Sequence, residues 1–293
     1  MHMAITTAMI KELREATGAG ILDSKKALEA SGGDFDKAVE YLREKGLAKA
    51  AKKASREANE GLVVALVEAD RASLVEVNCE TDFVARTDDF KAFVNTIARH
   101  VLDTPNLGSV EDLLATEFPG NAGKSVADTI QETISKLGEN IVIRRFARYT
   151  RQGAGVLEGY VHLGGRIGVL VELGAEDAAA QGDALTELAH DLTLHIAAAS
   201  PRFLAREDVP ASVLDEERKI YMAQLAEENK PDHIKDRIVE GRLNKFYQET
   251  CLLEQPFVKD DKLTIGKLLA QKSKQLGTPL KIHRFTRFEL GVQ

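Results

Sequence analysis

Gly120-Asn121-Ala122-Gly123-Lys124-Ser125 is the stretch that most suggests chemistry, because a glycine-rich run ending in Gly-Lys-Ser can wrap phosphates with its amides. Such a loop needs another glycine five residues before the Gly-Lys-Ser, where this chain has Phe118. No strand leads into it either, since Glu117-Phe118-Pro119 reads as loop. Gly153, Gly155 and Gly159 approach a dinucleotide fingerprint, but the last glycine falls one residue late and a β-hairpin pattern follows where a helix should. His190 and His195 are spaced for different faces of a helix, which argues against a shared metal. Cys79 and Cys251 form no CxxC pair, which excludes a disulfide framework and a zinc cluster. No serine has a nucleophile-elbow context and no close Cys–His pair is visible, so covalent catalysis has no support. What remains is Asp82-Phe83, a carboxylate beside a large apolar ring within Asn78–Asp88. Two readings stay open. Either Phe83 folds into the core and Asp82 caps the following helix, or the pair is presented to a partner's pocket and polar groups.

The elements that must position these residues follow from periodicity. Residues 5–45 read as three short helices. Thr6 or Thr7 caps the first, Asp23 the second and Asp34 the third, with breaks at Thr17-Gly18-Ala19-Gly20 and Ser31-Gly32-Gly33. A basic run from Lys45 to Arg56 reads as a solvated helical linker, since no aromatic interleaves its charges. From Gly61 the pattern changes to paired strands, Leu62–Val67 and Ala72–Val77. Helices over about 90–102 and 126–137 then lead to a strand at Ile141–Phe146.

That layout recurs. A hairpin around Gly164-Gly165, a helix from about Ala184 to Ala198 and a helix near Ile265–Leu276 lead to the strand Leu280–Phe285. Residues 136–149 slide onto 275–288 without a gap. Leu137, Gly138, Ile143, Arg145, Phe146 and Arg148 meet identical residues, where random pairing gives about one match, so the core is read as a duplication. The second copy carries an insertion of about 210–249, read as an antiparallel helical hairpin turning at Asn229-Lys230-Pro231-Asp232. The expected class is α+β, divided into 1–56 (bundle and basic linker), 57–152 and 153–293.

Composition narrows the function. The chain has 293 residues, 39 Lys+Arg against 46 Asp+Glu and a formal charge of −7, which disfavours nucleic acid as a partner. Aromatics are 5% with no Trp, a poor base-stacking platform. Apolar residues reach 44%, enough for well-packed cores. No apolar run approaches the ~18 residues a membrane span needs. Met1-His2-Met3-Ala4 leads into a helical pattern rather than a signal peptide, and the cysteine usage fits a reducing cytoplasm.

Two longer stretches are specific. Leu13-Arg14-Glu15-Ala16-Thr17-Gly18-Ala19-Gly20-Ile21-Leu22-Asp23-Ser24-Lys25-Lys26-Ala27-Leu28 resembles the first signature of the bacterial elongation factor Ts family, and Glu76-Val77-Asn78-Cys79-Glu80-Thr81-Asp82-Phe83-Val84-Ala85-Arg86 resembles its second. The likeness extends through the duplicated core and inserted hairpin to Arg287-Phe288-Glu289-Leu290-Gly291. The resemblance implies a UBA-like N-terminal bundle and a guanine-nucleotide exchange factor for elongation factor Tu, without covalent chemistry. No cofactor or metal, and no direct contact with nucleic acid or membrane, is expected on this chain. By resemblance Arg14 and Lys25 dock on the GTPase domain, and Thr81, Asp82, Phe83 and Val84 form the intruding element. His162 touches a further domain of the partner, and the inserted hairpin is associated with self-association, so a homodimer is among the expected partners. Two rival classes are a nucleotide enzyme using Gly123-Lys124-Ser125 and a helical-bundle adaptor with a passive core.

Overall fold

The computed structural model describes residues 5–177, 182–226 and 230–292; Met1-His2-Met3-Ala4 and Asn229 of the expected hairpin turn lie outside the described residues. Three helices open the chain, α1 (Thr7–Thr17), α2 (Ile21–Ala30) and α3 (Phe35–Lys53). The Thr6 side chain accepts the Met9 N–H to start α1, and Asp34 accepts the Lys37 N–H to start α3. Asp23 does not cap α2. Gly20 holds the cap position without a side-chain bond, and Asp23 lies one turn in, where the helix dipole favours a carboxylate. There it meets Lys49 at 2.9 Å and Lys45 at 3.1 Å, and these hydrogen-bonded cations hold its carboxyl below the usual carboxylate range. Leu13, Ala27, Leu28 and Ala38 form the buried centre of the bundle.

The basic run is helical as far as Lys53, with Lys49, Lys52 and Arg56 exposed. Part of its charge is also paired: Lys45 and Lys49 meet Asp23, and Lys53 Nζ donates to the Gly138 carbonyl at 2.5 Å. Gly138 ends α7 (Val126–Leu137), where unpaired carbonyls favour a cation.

Two sheets of like order carry the rest. β1 (Glu60–Val67), β2 (Arg71–Cys79) and β3 (Val142–Thr150) lie in the order β1-β2-β3. Between β2 and β3 run α4 (Asp82–Ala85), α5 (Asp88–Asp103), α6 (Val110–Ala115) and α7. β4 (Gly155–His162) and β5 (Ile167–Ala175) pair antiparallel, with Gly155 opposite Gly174 and His162 opposite Ile167, and β8 (Leu280–Glu289) joins the other edge of β5. α8 (Asp183–Ala199) and α11 (Ile265–Leu276) bury Leu185, Leu192, Ile196, Ile265 and Leu268 against Val169, Val171 and Leu173 of β5. A small ribbon, β6 (Pro256–Phe257) with β7 (Asp260–Thr264), precedes α11. α9 (Ala211–Leu225) and α10 (Asp232–Thr250) pack through Leu225, Val239 and Leu243, with Leu214, Tyr221 and Ile238 half-buried beside them. The architecture is α+β. Among the described residues no helix is long and apolar enough to cross a membrane.

The contacts divide the chain into two compact units. One draws its described residues from Met1–Val64, Val75–Phe146 and Glu289–Gln293, the other from Ala65–Leu74 and Ala147–Phe288. Each contains a fully buried glutamate. In the first, Glu76 accepts from Arg145 Nε at 2.7 Å and from the Gly291 N–H at 2.9 Å, while Arg145 Nη2 donates to the Glu289 carbonyl at 3.0 Å. In the second, Glu172 accepts from Arg284 Nε at 2.7 Å and from the Gln152 N–H, while Arg284 Nη2 donates to the Thr150 carbonyl at 2.9 Å. Under the register that aligns 136–149 with 275–288, Arg145 matches Arg284, Thr150 matches Glu289 and Gln152 matches Gly291. The duplication therefore extends to a buried polar network. Gly61 and Gly155, which open β1 and β4, also correspond: both hold φ near +140°, and a Cβ there would meet the carbonyl oxygen of Val77 at 2.1 Å or of Leu173 at 2.2 Å. Only glycine allows that approach.

Candidate functional site

β2 ends at Cys79, and the chain turns at once into the single-turn helix α4. Thr81 caps it, its hydroxyl accepting the Val84 N–H at 3.4 Å. Thr81 is in turn gripped by Glu139. One Glu139 oxygen accepts the Glu80 and Thr81 N–H groups at 3.1 and 3.0 Å, and the other accepts the Thr81 hydroxyl at 2.6 Å. Glu80 returns the contact by accepting the Asn140 N–H at 2.7 Å and the Arg56 guanidinium at 3.4 Å. Asn140 closes the ring with a bond to the Arg56 carbonyl at 2.8 Å. Cys79 is fully buried beneath this turn and donates to the Thr81 carbonyl. Burial, reinforced by the Glu139 charge, pushes its thiol pKa up to about 12.

On this pedestal Phe83 is 80% exposed, the most exposed of the large apolar side chains described. The inward reading of Phe83 is overturned, because the helical turn sends Ala85 into the core and Phe83 outward. Asp82 is not the cap either. It pairs with Arg86 at 2.8 Å across one turn and remains 45% exposed, beside a half-buried Val84.

The other expected contact residues lie on other elements. Arg14 is exposed on α1, and Lys25 is exposed on α2 beside Glu29 at 3.7 Å. Ile21 and Leu22, at the start of α2, are 59% and 73% exposed. In the other unit His162 ends β4, exposed, with its Nδ1 at 2.7 Å from the Tyr160 hydroxyl and an exposed Leu163 beyond it.

Residues 80–292 match the sequence model of the family described as Elongation factor TS. The elongation factor Ts of Trichlorobacter lovleyi is 49% identical over 292 residues, covering 99% of this chain and 93% of that protein. Those of Clostridium perfringens (strain SM101) and Halothermothrix orenii are 48% and 47% identical, with 98% and 99% of this chain and 93% of each relative covered. The chain belongs to the elongation factor Ts family. Its relatives are elongation factors of protein biosynthesis, and the family match includes Thr81, Asp82, Phe83 and Val84.

In this elongation factor Ts member the Gly-Lys-Ser stretch is the lead-in to α7. The amides of Asn121 and Lys124 bond to the carbonyls of Phe118 and Asn121, Gly123 donates to Glu117, and Ser125 donates to Asp128 in a capping box. No amide from Gly123 to Ser125 is left to cradle phosphate. Lys124 pairs with Glu132 at 2.5 Å. A cleft of about 270 Å³ beside it is lined by Lys45, Lys49, Lys124 and Lys136, each paired with a carboxylate. His190 meets Glu158, and His195 meets Gln255 and the Val258 N–H, so the two histidines serve different neighbours. Among the described residues no group of three or more His, Cys, Asp or Glu side chains is placed to hold a metal. Sequence reasoning missed Glu139 and Asn140. A signal existed, because a glutamate directly after the C-terminal glycine of a helix opposes the helix dipole and needs donors to offset it.

Proposed function

We propose that this chain is a guanine-nucleotide exchange factor that binds elongation factor Tu·GDP and promotes GDP release during translation elongation in the cytoplasm. The observation that carries the reading is Phe83, an aromatic ring 80% exposed on a one-turn helix whose entry, Glu80-Thr81, is anchored to Glu139 by three hydrogen bonds. Thr81–Val84 inserts into the GTPase. Phe83 wedges between its side chains, and Asp82 helps hold its helices in a shifted position, disturbing the Mg²⁺ and phosphate surroundings so that GDP leaves and GTP can rebind. The UBA-like bundle, with Arg14, Lys25 and the exposed Ile21 and Leu22, docks on the GTPase domain, and His162 at the β4–β5 tip meets a further domain. In this reading residues 1–56, 57–152 and 153–293 act as docking module, intruding subdomain and second contact subdomain. The insertion of about 210–249 serves self-association as a homodimer.

The driving force is linkage. A protein that binds the nucleotide-free GTPase more tightly than its GDP form weakens GDP by the same factor. Each tenfold of weakening needs about 1.4 kcal/mol of differential contact. A ring moving from water into a partner's pocket supplies energy on that scale, since interface hot spots cost roughly 2–4 kcal/mol when truncated. The exchange calls for no nucleophile, base or metal ligand from this chain.

The test is stopped-flow release of fluorescent GDP from elongation factor Tu. The double variant Phe83→Ala with Asp82→Ala is expected to fold normally, because both side chains are exposed, and to lose most of the stimulation. GDP release at the wild-type rate would sink the reading.

A further inference from the structure

We propose that Glu139 is the positioning residue of the exchange element, holding α4 in the orientation that presents Phe83. The inference rests on the reading of α4 as the inserting segment and adds what prepares it for insertion. A four-residue helix has no stability of its own, because forming the first turn fixes many dihedrals for one hydrogen bond. Its shape must come from outside the turn. The Glu139 carboxylate supplies it by accepting two consecutive backbone amides and the cap hydroxyl, all at 3.1 Å or less. Hydrogen bonds to a charged acceptor are the strong ones. The carboxylate also has its own ends fixed, since Gly138 before it binds Lys53 and Asn140 after it binds Glu80 and Arg56.

The duplicated half of the chain supplies the comparison. Glu139 corresponds to Thr278, which likewise follows a helix-ending glycine, Gly277, and is buried. Thr278 Oγ1 accepts the Asp177 backbone amide at 3.0 Å. That neutral contact and the Glu176 N–H on the Pro279 carbonyl at 3.2 Å tie the chain after β5 to the chain after α11. In the first unit the same place carries a longer, charged side chain with three donors, and the segment it holds is the one that exposes Phe83. The added reach and charge go beyond what the fold alone uses at this position. A rigid presentation matters for insertion, because a ring that must first be ordered loses part of its binding energy to that ordering.

Full-length wild type, Glu139→Ala, Glu139→Gln and Phe83→Ala are compared for release of fluorescent GDP from elongation factor Tu across a range of concentrations of this protein. Glu139→Ala is expected to lower the maximal release rate about tenfold or more while the half-saturating concentration changes by less than about threefold, the pattern of an interaction lost after docking. Glu139→Gln keeps an acceptor for the two amides, and the Thr81 hydroxyl can turn to accept from its NH₂, so it is expected to restore the rate to within about threefold of wild type. Amide hydrogen exchange adds a local readout: the Ala85 and Arg86 amides, bonded within the turn, should exchange faster in Glu139→Ala while α5 and α7 stay protected. A wild-type release rate in Glu139→Ala alongside a slow Phe83→Ala overturns the positioning role and leaves the α4 reading standing. A wild-type rate in Phe83→Ala itself overturns that reading. Loss of protection through α5 and α7, with Glu139→Gln equally impaired, makes Glu139 a general structural residue and overturns the proposal.

Discussion

At the scale of single residues, the site is defined by two neighbours treated in opposite ways by the fold. Cys79 is sealed at the end of β2, and Phe83 four positions later stands in water. The thiol donates to the Thr81 carbonyl, and its pKa is pushed up to about 12 by burial and the adjacent Glu139 charge. A thiol must ionise to react, so Cys79 should resist iodoacetamide at pH 8 under native conditions. Cys251, also buried and raised by burial, should behave alike. Intact-mass analysis is expected to show no adduct in native protein and two adducts in urea. Rapid native labelling of Cys79 would mean that the turn beneath α4 opens readily. Neither the burial of Cys79 nor the exposure of Phe83 was legible in residue type. An aromatic ring next to a strand normally goes inward, and the one-turn helix capped by Thr81 reverses that.

At the scale of elements, helix limits were largely written in local chemistry. Ser125 with Asp128 starts α7 and Gly138 ends it, Thr264 starts α11 and Gly277 ends it, and both helices occupy the residues that periodicity marks out. The exception is α2, which starts at Ile21 rather than after Asp23, so Asp23 lies inside its first turn and bonds two lysines of α3. His195 shows another element-scale constraint. It is fully buried on α8, its Nδ1 accepts the Val258 N–H at 3.3 Å, and its Nε2 lies 3.0 Å from Gln255 Oε1. Gln255 spends its NH₂ on the carbonyls of Ala199 and Glu249, so its oxygen faces the ring and Nε2 carries the proton. A second proton on Nδ1 would confront a donor, and burial already lowers the histidine pKa. The neutral form is favoured in the fold, so its contribution is complete above the unfolded value of about 6.5 and is lost as pH falls through the folded pKa. Urea unfolding should therefore show declining stability from pH 7.5 to pH 5, with a shallower decline in His195→Gln. Equal slopes for the two proteins would remove His195 as the cause.

At the scale of the whole molecule, the duplication is carried by interactions as much as by sequence. Glu76 and Glu172 are buried carboxylates bonded to Arg145 and Arg284, Glu76 having Arg144 as a second cation at 3.8 Å, and each glutamate also takes an amide from beyond the end of a strand. Arg284 further stacks over Tyr149 at 4.0 Å. Removing Arg284 leaves a buried charge, so Arg284→Leu should destabilise the protein by about 3–5 kcal/mol in urea titrations, and Arg145→Leu, which leaves Arg144 at 3.8 Å from Glu76, by less. A loss below about 1 kcal/mol in Arg284→Leu would show that the amide partner alone holds Glu172. The sequence by itself determined the α+β class, the order of helices and strands, the repeat and the family, because caps, periodicity and signature residues are local and survive in one dimension. Tertiary structure alone decided that Arg145 and Arg284 serve buried glutamates, that Lys45 and Lys49 meet Asp23 and Lys53 meets Gly138, and that Glu139 grips Thr81. Those outcomes depend on which donors and acceptors lose water together, and that is set by packing between residues distant in the chain.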